Sequence, residues 1–225
     1  MKKFFKIISF VLAVASLCLA VCSCGVDKKD PEIVDAAKAL MEKSYALNDI
    51  YFGKGLPVSA EDSEEAQKFA ADNGFDLQNI QFLPVTPDSP YKSIEDMKEA
   101  TLKVYSEDYC EYLFSMAFEG YSTEDGTAAI YAKYMEDEAG TLTARIDLAK
   151  NSLPKRTYDY DSIEVKSKSE DMAVFFVDSY LDGKKEDKRV EFTLVFGEDG
   201  WRLDTPTYRY KNRIHLCIRF LVKRE

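Results

Sequence analysis

The side chains able to do chemistry are few, and their spacing decides what they can do. The chain has one histidine, His215. It lies in a basic C-terminal stretch, so no Ser-His-Asp or Cys-His pair can form in the body of the chain. There is no Gly-rich phosphate loop and no dinucleotide fingerprint. Cysteine and histidine never cluster with the spacing of a zinc site. Carboxylates are abundant, and Glu136-Asp137-Glu138 is the densest run in the second half. It lacks the ligand spacing of a calcium loop and reads as a solvated turn between two strands. In Tyr158-Asp159-Tyr160-Asp161, strand alternation puts both tyrosines on one face and both aspartates on the other. Tyr158 and Tyr160 are therefore a candidate partner contact, since tyrosine is enriched in interfaces. The competing reading is a half-buried strand with a polar side. The expectation is a non-enzymatic protein with no catalytic residue, no cofactor and no metal.

One cysteine points to a covalent modification. Lys2, Lys3 and Lys6 precede an almost wholly apolar stretch over residues 4–20, the layout of an export signal. Val21-Cys22-Ser23-Cys24-Gly25 resembles a bacterial lipobox, which implies cleavage before Cys24 and lipid on its sulfur. Cys22 is the second candidate, but Val21 suits its −1 position poorly. Residues 1–23 are then a signal peptide and residues 24–30 a short tether. The chain is expected on the extracytoplasmic face of a cell membrane, held by lipid. Two cysteines remain, Cys110 and Cys217. Cys110 reads as a small hydrophobe on a helix face, and a Cys110–Cys217 bridge is an alternative in an oxidising compartment.

Charge narrows the partners. The chain of 225 residues has a net charge of −10, yet residues 1–24 and 208–225 are both basic, which leaves −18 on residues 25–207. So acidic a body excludes nucleic acid and disfavours anionic lipid. Its length suits one domain with a real core.

The elements follow from capping and periodicity. Asp30-Pro31-Glu32 opens a helix that should run to Gly53, with Ile33, Ala36, Ala37, Leu40, Met41, Ser44, Leu47 and Tyr51 as its inner stripe. Residues 57–92 read as a long connection, with a polar helix within 59–73 ended by Gly74 and an extended stretch at 83–90. Ser93-Ile94-Glu95-Asp96 resembles a capping box, with Ile94, Met97, Thr101, Leu102 and Tyr105 on one face. Ser106-Glu107-Asp108 opens another helix, burying Tyr109, Tyr112, Leu113, Met116 and Ala117 up to Gly120. The period then falls to two. Strands are expected at 128–135, 141–148, 158–167, 172–181, 189–196 and 201–204, with turns at Asp182-Gly183 and Asp199-Gly200. Helices first and a meander after predict an α+β domain over residues 31–207, with N-terminal helices packed on a curved antiparallel sheet. Residues 208–225 are a basic tail in which Ile214, Leu216, Ile218, Phe220 and Val222 alternate; an extra strand, a contact to the acidic body or to lipid, and non-native sequence all fit.

Gly200-Trp201-Arg202-Leu203-Asp204-Thr205-Pro206, after the hairpin strand 190–196, resembles the closing strand of NTF2-like or cystatin-like domains of exported bacterial proteins. Asn48-Asp49-Ile50-Tyr51-Phe52-Gly53-Lys54-Gly55-Leu56-Pro57, followed by Tyr91-Lys92-Ser93, resembles lipoproteins near the IseA family, whose members inhibit cell-wall DL-endopeptidases. This implies a cone-shaped domain over residues 31–207 and a protein partner in the envelope. The expected function is a non-enzymatic lipoprotein that binds an envelope protein, a cell-wall hydrolase being one such partner. The alternative is a small-ligand-binding module using the mouth of the cone.

Overall fold

The structure, a computed structural model, describes residues 26–76, 81–122, 129–148 and 156–208. The lipobox, Cys24, His215 and Cys217 lie outside them. The described residues form an α+β arrangement with antiparallel sheets.

Helix α1 (Pro31–Phe52) is the long strut of the molecule. The Asp30 side chain accepts from the backbone N–H of Glu32 and Ile33, satisfying donors that a helix start leaves open. Ile33, Ala37, Leu40, Met41, Ser44, Leu47 and Tyr51 form its buried stripe, joined by Asn48 and Ile50. Helix α2 (Glu64–Asn73) is capped by Ser63 and closed by Gly74 in the left-handed region (φ 69°). A strand, β1 (Phe82–Pro84), leads to α3 (Ile94–Leu102), where Ser93 and Asp96 make the expected capping box. Helix α4 (Glu107–Phe114), capped by Ser106, runs into a wider π turn (Ser115–Glu119) and stops at Gly120.

Two short strands, β2 (Tyr121–Ser122) and β3 (Ala129–Ile130), pair with each other. Strand β4 (Tyr134–Glu136) and β5 (Leu142–Arg145) then join β1 in a three-stranded antiparallel sheet, order β1-β5-β4. The larger sheet follows: β6 (Arg156–Lys168), β7 (Met172–Leu181), β8 (Lys184–Lys185), β9 (Val190–Gly197) and β10 (Gly200–Leu203). Its order is β10-β9-β7-β6, with β8 beside the end of β7. Asp182 and Gly183 both have positive φ (50° and 79°), as a two-residue hairpin turn requires. Two register shifts in the β6–β7 ladder, between Asp159 and Glu164 and between Val165 and Ser167, mark bulges in β6.

Helix α1 packs on β6 and β10, and the space between is filled by side chains such as Ile33, Met41, Phe175, Phe192, Leu194 and Leu203. Cys110 carries a free thiol buried in this core, and burial pushes its pKa up to about 12. It is thus the small hydrophobe its helix position suggested.

Three sequence expectations need correction. Residues 128–135 do not make one strand; within the described residues the pairing breaks between β3 and β4, where Lys133 turns inward. The strand expected at 141–148 gives way to a short 3-10 turn (Ile146–Leu148), leaving Leu148 exposed. Leu102, expected on the inner face of α3, is also exposed, because the helix ends there.

Candidate functional site

An apolar groove on the described surface lies between α2 and the three-stranded sheet. Alternation sorts that sheet. Leu83, Tyr134, Leu142 and Ala144 turn inward and are buried. Phe82, Met135 and Arg145, one residue out of step, belong to the opposite face, as Phe82 pairs with Arg145 and Met135 with Thr143. Helix α2 packs beside β1 and covers only part of this outer face, leaving a groove of about 600 Å³ lined by Phe69, Phe75, Phe82, Met135 and Thr143.

Local rules place the groove's most exposed ring. The left-handed Gly74 closes α2, and the Phe75 N–H returns to the Ala70 carbonyl at 2.8 Å. Phe75 thereby leans on Phe69, with ring centroids 5.8 Å apart, yet keeps 52% of its surface in solvent. Met135 is 45% exposed on the facing strand. Exposure of two large apolar side chains across one groove is the kind of feature that marks a contact site.

The rim is acidic. Asp76, Glu136, Asp137 and Glu138 all line the groove. Two members of the run sought by sequence have structural duties. Glu136 accepts from the Ile94 N–H at 2.6 Å, at the start of α3. Asp137 accepts from Ala139 N–H (2.9 Å), Thr141 N–H (2.7 Å) and the Asn73 amide (3.5 Å), which closes the β4–β5 turn and ties it to α2. Burial works to raise the Asp137 carboxyl, but hydrogen bonds led by Thr141 outweigh it and hold it below the usual carboxylate range. Beyond Phe82 the apolar surface continues: Arg145 lies over Phe82 and over the exposed ring of Tyr131, at 5.7 and 4.4 Å from their centroids, and pairs with Asp147. Among the described residues no group of three or more metal-ligating side chains converges.

The tyrosines singled out by sequence lie elsewhere. Tyr158 is 7% exposed, packs edge-on against Phe192, and donates its hydroxyl to the Thr207 carbonyl. Tyr160 is half-buried, hydrogen-bonded with Tyr45 of α1, with Lys38 over its ring. Both rings thus face the helix layer, and the structure does not bring them to the groove.

Sequence reasoning missed Lys133. It is buried, and its ammonium donates to the Gly53 carbonyl at 2.8 Å, with the Tyr51 carbonyl at 3.5 Å. It caps the C-terminal end of α1, where a cation is favoured. Desolvation nevertheless brings its pKa down to about 8, against the pull of Asp49. The neighbouring Tyr134 hydroxyl donates to Ile50 and accepts from the Leu56 N–H, so β4 and α1 are fastened together beneath the groove. No protein-family model and no curated protein matches this chain.

Proposed function

We propose that the chain is a non-enzymatic extracytoplasmic lipoprotein, anchored through lipid on Cys24, that binds an envelope protein through the groove between α2 and the three-stranded sheet. The observation that carries this reading is the pair of exposed apolar side chains, Phe75 and Met135, across an acid-rimmed groove. Such a groove suits a protein segment that offers an apolar side chain with basic neighbours. The order of helices before an antiparallel meander supports an NTF2-like or cystatin-like domain. A cell-wall hydrolase is a partner in keeping with the IseA resemblance.

The alternative, a small-ligand module, moves to the same groove, because α1 and the core fill the inner face of the larger sheet. The test compares capture of envelope proteins by the intact chain and by Phe75→Asp/Met135→Lys. A hydrolase retained by the first and lost by the second supports the proposal. Identical capture by both forms, with both folded, removes the groove from it.

A further inference from the structure

The groove between α2 and the three-stranded sheet has an apolar floor and a rim of one sign. Asp76, Glu136, Asp137 and Glu138 line it, and among the described residues no lysine or arginine does. Phe75 and Met135 expose apolar surface within it. A cleft of one charge sign draws ligands of the other. The groove therefore selects a segment that carries apolar and basic residues together.

The chain itself holds such a segment. Residues 209–225 contain six Lys or Arg against one Glu. Their apolar row, Ile214, Leu216, Ile218, Phe220 and Val222, falls on even positions, while Arg213, Arg219 and Lys223 fall on odd ones. Extended chain sends those two rows to opposite faces. Long Lys and Arg stems can still bend their charges toward acids beside an apolar contact.

The structure fixes where this segment starts. Thr207 is held in the core by Ser44 and Asn48 of α1. Tyr208 stacks on Phe52, the last residue of α1, with ring centroids 5.1 Å apart. The next residue, Gly53, accepts at its carbonyl from Lys133, two positions before Met135 of the groove. The segment thus leaves from the end of α1 to which β4 is fastened. Extended chain from Tyr208 covers about 20 Å by Ile214 and about 40 Å by Phe220, more than this series of contacts spans. The open edge of β6 is the other place for an alternating run. There the Val165 N–H donates to the Lys28 carbonyl at 2.9 Å, and the Lys29 ammonium donates to the Asp161 and Ile163 carbonyls at 2.6 and 2.8 Å. Residues 28 and 29 already take the middle of that edge.

We propose that the groove is the seat of the chain's own residues 209–225, which an envelope partner must displace. The inference rests on the groove reading above and adds its regulation. A tethered segment meets its site at an effective concentration on the order of millimolar, so a weak contact is enough to fill it. A partner that displaces it presents the same chemistry in a tighter form.

Full-length protein with the photo-crosslinker benzoylphenylalanine in place of Phe75, or of Met135 in a second form, tests this. Irradiation should join the probe to peptides from residues 209–225 of the same chain. The yield should fall several-fold in Arg213→Glu/Arg219→Glu/Lys223→Glu and in high salt. That triple variant, with Phe75 and Met135 native, should capture several-fold more envelope protein than wild type. No cross-link to a tail peptide from either probe in folded protein, or a yield indifferent to the charge reversals, overturns the inference. If Phe75→Asp/Met135→Lys then still loses its partner, the groove reading survives alone. Cross-links found only between isotopically distinct copies assign the groove to the tail of a second chain and overturn the intramolecular seat. Tail cross-links within one chain, beside capture that neither variant changes, overturn the partner reading and leave the tail in its groove.

Discussion

The Ser44 and Thr207 hydroxyls meet at 2.6 Å in the core, joining the middle of the first helix to the residues beyond the last strand. Thr207 Oγ1 also takes the Asn48 amide at 2.8 Å and meets the Tyr105 hydroxyl at 3.1 Å. Its carbonyl accepts from Tyr158. Four stretches of chain therefore meet at this one residue: α1, the link between α3 and α4, β6, and the residues after β10. A buried polar cluster of this kind is stable only while every member keeps a partner.

Thr207→Val keeps the shape and removes the shared hydroxyl. Ser44 retains its bond to the Met41 carbonyl, but Asn48 and Tyr105 each lose a partner. The expected loss is about 1–3 kcal/mol in urea unfolding, the usual cost of an orphaned buried polar group. Thr207→Ser should recover most of it. A Thr207→Val protein as stable as wild type would contradict the network.

Lys133 predicts an alkaline effect of definite sign. Its pKa near 8 in the fold lies below the ordinary lysine value of 10.5. Between those values the unfolded chain holds more protons than the folded one, so stability should rise with pH across that window. Wild type should gain on Lys133→Met by a few kcal/mol when unfolding is compared at pH 7 and pH 10, since each pH unit crossed in that window contributes about 1.4 kcal/mol. A constant difference between the two proteins would contradict the burial of a charged ammonium.

Asp137 acts in the opposite range. Its folded pKa is lowered, so its carboxylate stabilises the fold above the unfolded aspartate value and loses that contribution as pH falls through the folded one. Asp137→Ala should be less stable than wild type at pH 7, and the gap should close in acid. Paired acid titrations followed by circular dichroism check this. A gap that persists below the folded pKa would assign the effect to packing alone.

Gly74 has φ of 69°, and a Cβ there would meet nothing within 4 Å. The cost of Gly74→Ala is therefore conformational, about 1 kcal/mol for a left-handed residue. Thermal unfolding should show the loss, and Gly74→Asn should show less of it. Because Gly74 sets the return of the chain toward Phe75, partner capture should weaken with the alanine form even at temperatures where it is folded.

Much of this arrangement could be read from local chemistry. Asp30, Ser63, Ser93 and Ser106 act within a turn of themselves, and all four cap helices as their residue types suggest. Strands β7, β9 and β10 alternate cleanly, since one face meets the helices and the other meets solvent, whereas the bulges of β6 break its alternation. What escaped depends on distant partners. Lys133 looks like a break in a strand until the end of α1 arrives to receive it. The groove exists because α2 lies on the outer face of a sheet whose strands come from residues 82–84, 134–136 and 142–145. The residues of the supposed tether carry no strand pattern, and only the open edge of β6 gives them a place.

The first helix packs against the last strand, with Glu32 meeting Trp201 across 169 positions of chain. A chain emerging in order from its N-terminus leaves α1 without its main partners until almost everything has followed. Contacts of such sequence separation close late and slowly. The domain is thus biased to stay open while its chain is still being made, and to shut as a unit once its closing strand has followed.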